Sequence, residues 1–188
     1  MTSMETLQDD LRYVKGALVR REPAGGIPLS IALYWAAAMA IGFPMADFAP
    51  ARIGLFWMIA GPLGFVYSLL MGHVASRDSG EVDHAYGLRI GLHFGGMMVA
   101  IFAAGLLFIG SELSGAVFGR IVLLLLALSY FSAALHLSRR LYFVAAILFA
   151  GFVALAFVDT YAWTAIGLLG AAALIAAAVI RREDSAAA

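Results

Sequence analysis

Cysteine is absent from this sequence of 188 residues, which excludes disulfides, thiolate chemistry and metal sites built on cysteine. Charged residues are also scarce: they make up 13% of the chain, whereas a soluble domain carries about 25%. Basic and acidic residues balance at 12 each, so no general attraction to nucleic acid is expected. The Gly-x-Ser-Gly and His-Glu-x-x-His motifs of familiar intramembrane proteases are missing as well. These shortages point away from a soluble domain and from the common membrane hydrolases.

What the chain has instead is apolar sequence in long runs. Hydrophobic residues make up 63% of it, and the mean hydropathy is +0.94. Each run is close to the ~20 residues that cross a bilayer as a helix. We therefore predict an all-α fold, a polytopic transmembrane bundle of six helices in three in-out-in hairpins. The six runs cover about 28–46, 53–74, 89–110, 117–137, 141–158 and 161–180.

A different kind of helix is predicted before the first run. Leu7, Leu11, Val14 and Leu18 recur at helical spacing over residues 4–21, which indicates one apolar stripe. Such a helix can lie on the membrane surface or dock onto a protein, and the sequence leaves both open. The predicted domains are a cytoplasmic helix with a Pro/Gly linker, the six-helix domain, and a cytoplasmic tail. Their bounds are 1–26, 27–182 and 183–188.

The distribution of basic residues predicts the orientation. With the N-terminus inside, only Arg52 and Arg120 fall on the outer side, and the other ten Lys and Arg residues fall on the cytoplasmic side. Six crossings then return the C-terminus to the cytoplasm. We expect a bacterial cytoplasmic (inner) membrane protein with both termini cytoplasmic.

Histidines mark the candidate site. His73 and His93 each lie four residues from an arginine, and His136 lies three residues before another. At about 1.5 Å per residue, all three sit at one depth near the cytoplasmic boundary. The site hypothesis is that Arg89, His93 and His136 line a cytoplasm-facing pocket, with Ser132 on the face of His136 and His73 at the rim.

Three interpretations of this histidine group stay open. The side chains can simply anchor helix ends at the membrane interface. They can ligate haem or a metal, since imidazole is a general ligand. They can also form a pocket for a lipid head group, quinone or small solute, with Arg89 meeting an anion.

Glycines and prolines carry two further predictions about helix geometry. Gly87, Gly91 and Gly95 recur every four residues, which is typical of a face for close helix packing. Gly61 and Pro62 fall near the middle of the second run, and we expect a kink there. Broken helices bind substrate in some transporters, but no ionisable side chain accompanies this one, which favours packing.

No carboxylate lies deep in any predicted span, which argues against a proton- or sodium-coupled transporter. Asp47, Glu112 and Asp159 instead fall one in each external turn. They can form a cation site together, or each can cap the free N–H groups of the helix that follows it.

The stretch Asp47-Phe48-Ala49-Pro50, followed by Phe56-Trp57 and Ala60-Gly61-Pro62, resembles a signature of small multi-pass bacterial membrane proteins of unknown function. The resemblance covers the N-terminal helix and the first two spans. It implies a membrane fold and no particular activity, so it assigns no site residue.

The sequence therefore predicts a non-enzymatic accessory or regulatory membrane protein that engages a partner through residues 4–21 and 75–88. The alternative is a membrane protein that binds a lipid, small solute or haem through the histidine group, for transport or redox work. No cofactor is expected under the first hypothesis, and haem belongs only to the second. Expected partners are the lipid bilayer, a cytoplasmic or membrane protein or a second copy, and not nucleic acid.

Overall fold

The computed structural model describes residues 27–78, 84–109, 114–158 and 160–186, and all regular structure in these ranges is helical. The predicted all-α fold is confirmed for this part of the chain. The amphipathic helix predicted over residues 4–21 lies outside the described residues. The helices are α1 Leu29–Gly42, α2 Pro44–Phe48, α3 Pro50–Asp78, α4 His84–Phe108, α5 Gly115–His136, α6 Leu141–Ala154 and α7 Ala162–Ala186.

Five stretches are long and apolar enough to cross a membrane, which fits a multi-pass membrane protein. The first of them joins α1 to the short helix α2 across Phe43, whose backbone is also helical. The five are Leu29–Phe48, Pro50–Ala75, Gly87–Phe108, Gly115–His136 and Ala162–Ile180.

The fifth predicted span, 141–158, is shorter as a regular helix than the sequence suggested. Helix α6 has 14 residues, about 21 Å, whereas the hydrocarbon core is about 30 Å thick. Single helical turns extend it at both ends, since Leu141 N–H bonds to the Ser138 carbonyl at 3.0 Å and Val158 N–H to the Ala154 carbonyl at 2.9 Å. Backbone pairing therefore continues past both ends of the regular helix.

The helices form a ring in which each long helix packs antiparallel against its neighbours. Helices that follow one another in the chain are in contact, and α1 also contacts α7, so the first and last described helices close the ring. Residue pairs that show the antiparallel order are Trp35–Ser68 and Phe43–Trp57 for the first span and α3, Phe65–Gly95 and Gly61–Met98 for α3 and α4, His93–Ser129 and Gly105–Phe118 for α4 and α5, Arg120–Leu155 and Phe131–Tyr142 for α5 and α6, Gly151–Ile166 and Leu148–Gly170 for α6 and α7, and Met39–Gly170 for α1 and α7. The pair Asp47–Thr164 continues the last of these contacts from α2.

The core lies between α1, α5, α6 and α7. Its largest fully buried side chains are Leu123, Val144, Leu148 and Leu174. No residue of α4 from Gly87 to Phe108 is buried, and the contact between α3 and α4 is the sparsest in the ring. Helix α4 is therefore a peripheral helix that rests on the bundle.

Close helix packing in the core depends on glycines of α6 and α7. A Cβ atom on Gly167 would lie 2.7 Å from both the Met39 carbonyl oxygen and the Phe43 Cβ atom. Gly170 meets the end of the Met39 side chain, and Gly151 meets Ile166. Because the neighbour of Gly167 is backbone, the space there can accept no larger residue without a shift of α1 against α7.

The glycines predicted as the packing face of the third span are placed differently. A Cβ atom on Gly95 would lie 3.7 Å from the Phe65 ring, an ordinary contact. For Gly87 and Gly91, no atom of the described chain lies within 4 Å of that position. Of the three glycines, only Gly95 therefore has a neighbour within 4 Å in the described chain, and that contact has an ordinary length.

Replacing Gly167 by alanine is expected to destabilise the bundle by about 1–3 kcal/mol, since the added methyl group forces two backbones apart. Thermal unfolding of the detergent-solubilised protein measures this. The matched control is Gly54→Ala, where nothing lies within 4 Å of the new Cβ atom. Equal melting temperatures for the two variants would mean that the α1–α7 contact is not tight.

Candidate functional site

The two ends of the ring carry different polar groups. We call the end that holds Asp47, Arg52 and Arg120 the Asp47 end, and the opposite end, where α5 stops and the turn to α6 holds Arg139, the Arg139 end. The antiparallel order places the start of α1, the end of α3 and the start of α4 at the Arg139 end as well.

At the Asp47 end, a carboxylate joins two helices that are far apart in the chain. Asp47 Oδ2 accepts hydrogen bonds from the Thr164 backbone N–H at 2.8 Å and from the Thr164 hydroxyl at 2.6 Å. Thr164 lies in the first turn of α7, where backbone N–H groups lack helical partners and a negative charge is favourable. Asp47 therefore caps the last helix of the bundle and not the helix that follows it. Glu112 and Asp159 lie outside the described residues.

The Arg120 side chain makes a second contact with a helix terminus at the same end of the ring. Arg120 Nη2 donates a hydrogen bond of 2.7 Å to the Leu155 carbonyl, which follows the last residue of α6. Carbonyls at a helix C-terminus lack helical donors and favour a positive charge. Asp47 and Arg120 thus each satisfy one helix terminus, and both act as structural contacts.

The predicted kink at Gly61 and Pro62 is part of a packing interface. Both residues lie inside the single helix α3, so the helix is not divided into two half-helices. The Tyr34 hydroxyl donates to the Ala60 carbonyl at 2.8 Å, beside the turn where Pro62 supplies no N–H group. Gly64, one turn further, leaves room for Tyr34 and Trp35 of α1.

A chain of hydrogen bonds continues from this interface. Trp35 Nε1 donates to the Ser68 hydroxyl at 3.0 Å, and that hydroxyl donates to the Gly64 carbonyl at 2.7 Å. The polar atoms are thereby paired within the α1–α3 interface. This arrangement favours the packing interpretation of the kink over a substrate site.

His93 makes the polar contact between α4 and α5. Its Nε2 atom lies 2.9 Å from the Ser129 carbonyl oxygen and 3.1 Å from the Ser129 hydroxyl. Since a carbonyl oxygen only accepts, the bond to it requires a proton on Nε2. The His93 ring also stands edge-on to Phe94, which stands edge-on to the buried Tyr130. His93 therefore ties the peripheral helix α4 to the core helix α5.

The remaining predicted site residues follow from the register of these two helices. With His93 beside Ser129 in an antiparallel pair, Arg89 lies one turn closer to the Arg139 end and falls level with residue 133. Arg89 of α4 is thus level with the part of α5 between Ser132 and His136. Arg89 and His136 are exposed and Ser132 is partly buried. The register therefore brings the four residues to one seam between α4 and α5, and the predicted pocket itself stays a prediction.

His73 lies on a different seam. The pairs Phe65–Gly95 and Gly61–Met98 set the register of α3 and α4, which puts exposed His73 level with Gly87. No group of three His, Asp or Glu residues suited to a metal is present among the described residues. This observation concerns a metal held by three such side chains, and the interpretation of paired histidines as haem ligands stays a prediction.

Ser129 was not among the site residues predicted from the sequence. The signal was present in the spacing, since residues 129, 132 and 136 are three and four apart. The spacing does not indicate which helix lies opposite that face, and in the structure this helix is α4.

Comparisons with protein-family models, with curated proteins and with solved structures found no match. Functional interpretation of this chain therefore depends on its own geometry.

Replacing His93 by leucine is expected to cost about 0.5–2 kcal/mol, because it removes the interhelical bond to Ser129. Ser129→Ala keeps the carbonyl acceptor and is expected to cost less. His73→Leu, a change at an exposed histidine, is the control and should leave stability unchanged. Chemical unfolding in detergent compares the three. If Ser129→Ala lowers the free energy of unfolding as much as His93→Leu does, the hydroxyl and not the carbonyl carries the contact.

Proposed function

We propose that this chain is a multi-pass protein of the bacterial cytoplasmic (inner) membrane, with six crossings and both termini in the cytoplasm. The positive-inside rule supports this orientation, because Arg52 and Arg120 share the Asp47 end while the other ten basic residues belong to the opposite side. The antiparallel ring is compatible with three in-out-in hairpins. The Arg139 end is then the cytoplasmic end.

Within the membrane, the chain acts as a non-enzymatic accessory or regulatory protein that engages a partner at this cytoplasmic end. The observation that carries the proposal is the contrast between the two ends. At the Asp47 end, Asp47 and Arg120 are bonded within the chain and Arg52 is exposed, whereas Arg77, Arg89 and Arg139 are all exposed at the Arg139 end. Exposed guanidinium groups at a membrane surface suit an acidic segment of a partner protein.

The described interior supports an accessory role over transport. No polar or charged residue is buried among the described residues. Solutes and ions that cross a bundle need polar groups or backbone carbonyls along their path. The residues predicted to add to the partner surface, 4–21 and 75–88, are cytoplasmic in the proposed orientation.

Reporter fusions test the orientation. A fusion at Ala188 and a fusion within residues 79–83 are expected to be active in the cytoplasm, and a fusion at Glu112 is expected to be active in the periplasm. The reason is the ten-to-two bias of basic residues. A periplasmic C-terminus would contradict both the orientation and the count of six crossings.

Photo-crosslinking in intact membranes tests the partner. A photoreactive residue at Glu81 is expected to give one adduct of defined mass, and the pair Arg77→Gln and Arg139→Gln should reduce it about fivefold or more by removing two charges at the contact. The same photoreactive residue in an Arg52→Gln background is the control, since Arg52 is an exposed arginine at the other end. Loss of the adduct in the control, or no adduct in the parent, would refute partner binding at this end.

A further inference from the structure

The seam between α4 and α5 has the features of a lipid site at its outer end. We define the α4–α5 groove by Arg89 on α4 and by Ser132 and His136 on α5, with the His93–Ser129 contact as its floor. We propose that this groove binds the phosphate of an anionic phospholipid, whose acyl chains lie along the adjoining exposed apolar surface. The proposal goes beyond the accessory role and rests on the membrane location and the orientation proposed above.

The floor of the groove is fixed by hydrogen bonds. His93 Nε2 is held by Ser129 at 2.9 Å and 3.1 Å, so this nitrogen is occupied within the chain. Arg89 is one helical turn, about 6 Å, closer to the membrane boundary. His136 is the last residue of α5. The groove therefore opens from the floor outward, toward the level of lipid head groups.

The side chains of the groove are suited to a phosphate. Arg89 is permanently charged and presents a planar fork of donors that matches phosphate oxygens. The Ser132 hydroxyl and the His136 ring supply two further donors on the facing helix. Helices α4 and α5 contain no Asp or Glu, so neither helix adds a negative charge that would repel a phosphate. Basic pockets between transmembrane helices on the cytoplasmic side are typical sites for anionic head groups.

Apolar side chains flank the groove on the lipid side. Leu88 and Leu92 of α4 and Leu128 and Leu135 of α5 are all more than half exposed in the single chain. Leu88 adjoins Arg89 in sequence, and Leu135 adjoins His136. A lipid can thus place its phosphate on the polar end of the seam and its chains on these leucines, which free inorganic phosphate cannot do.

Native mass spectrometry of the purified full-length protein tests the site. With phosphatidylglycerol and phosphatidylcholine offered at equal concentration, we expect preferential retention of phosphatidylglycerol. Arg89→Gln should reduce that retention about fivefold, the effect of removing one arginine from an anionic lipid. Arg52→Gln is the matched control, because it removes an exposed arginine from the Asp47 end and should retain the lipid as the parent does.

A second variant and a competition experiment distinguish a lipid site from a site for free phosphate. His136→Gln is expected to weaken retention less than Arg89→Gln, and it keeps the test valid if Arg89→Gln unfolds. Millimolar inorganic phosphate should not displace the lipid. Equal retention of the two lipids, unchanged retention in both groove variants, or displacement by inorganic phosphate would each overturn the proposal. The reporter fusions and the crosslinking at Glu81 do not depend on Arg89, so failure of the lipid site and failure of the proposed function are distinguishable.

Discussion

The contact between α1 and α7 is the constraint on which the rest of the bundle depends. In a bilayer, lipid tails are as apolar as the helices, so association needs close packing or interhelical hydrogen bonds in place of the hydrophobic effect. The contact of α7 with the first span has both: Gly167 admits the backbone of α1 at Met39, and Asp47 of α2 accepts hydrogen bonds from Thr164 in the first turn of α7. This contact closes the ring, and α5 and α6 complete the core against it. Without it, α1 would be held by α3 alone, through the aromatic interface around Tyr34 and Trp35.

Closing the ring through the first and last helices leaves the intermediate helices α3 and α4 on the outside. Helix α4 has no buried residue from Gly87 to Phe108 and only a sparse contact with α3. Its attachment is to α5, through His93 at one level and through Gly105 against Phe118 at another. Because α4 is peripheral, Arg89 of this helix and His136 of α5 are exposed.

Hydropathy predicted the helices because each long apolar run has the length and composition that a membrane span requires. It did not predict the short α6, whose regular part ends where Leu155 turns its carbonyl to Arg120. The spacing of Gly87, Gly91 and Gly95 defines a face but contains no information on what lies opposite, and the close contacts are found at Gly167 and Gly170 instead. Helix α7 is so rich in alanine that these two glycines do not stand out in the sequence. The Asp47–Thr164 bond joins residues 117 positions apart, a separation at which no local pattern contains a signal.

For the histidine group, helical spacing predicts which residues share a face and a depth, and the shared site itself stays a prediction. The missing element was the role of His93. A polar ring this far along an apolar helix cannot stay unpaired in hydrocarbon, and the Ser129 carbonyl is the acceptor that satisfies it. That bond also sets the register of α4 on α5, and through it the position of Arg89 one turn further out. The level of Arg89 relative to Ser132 and His136 follows from this register. The attachment of the peripheral helix and the level of Arg89 along α5 therefore both depend on the contact between His93 and Ser129.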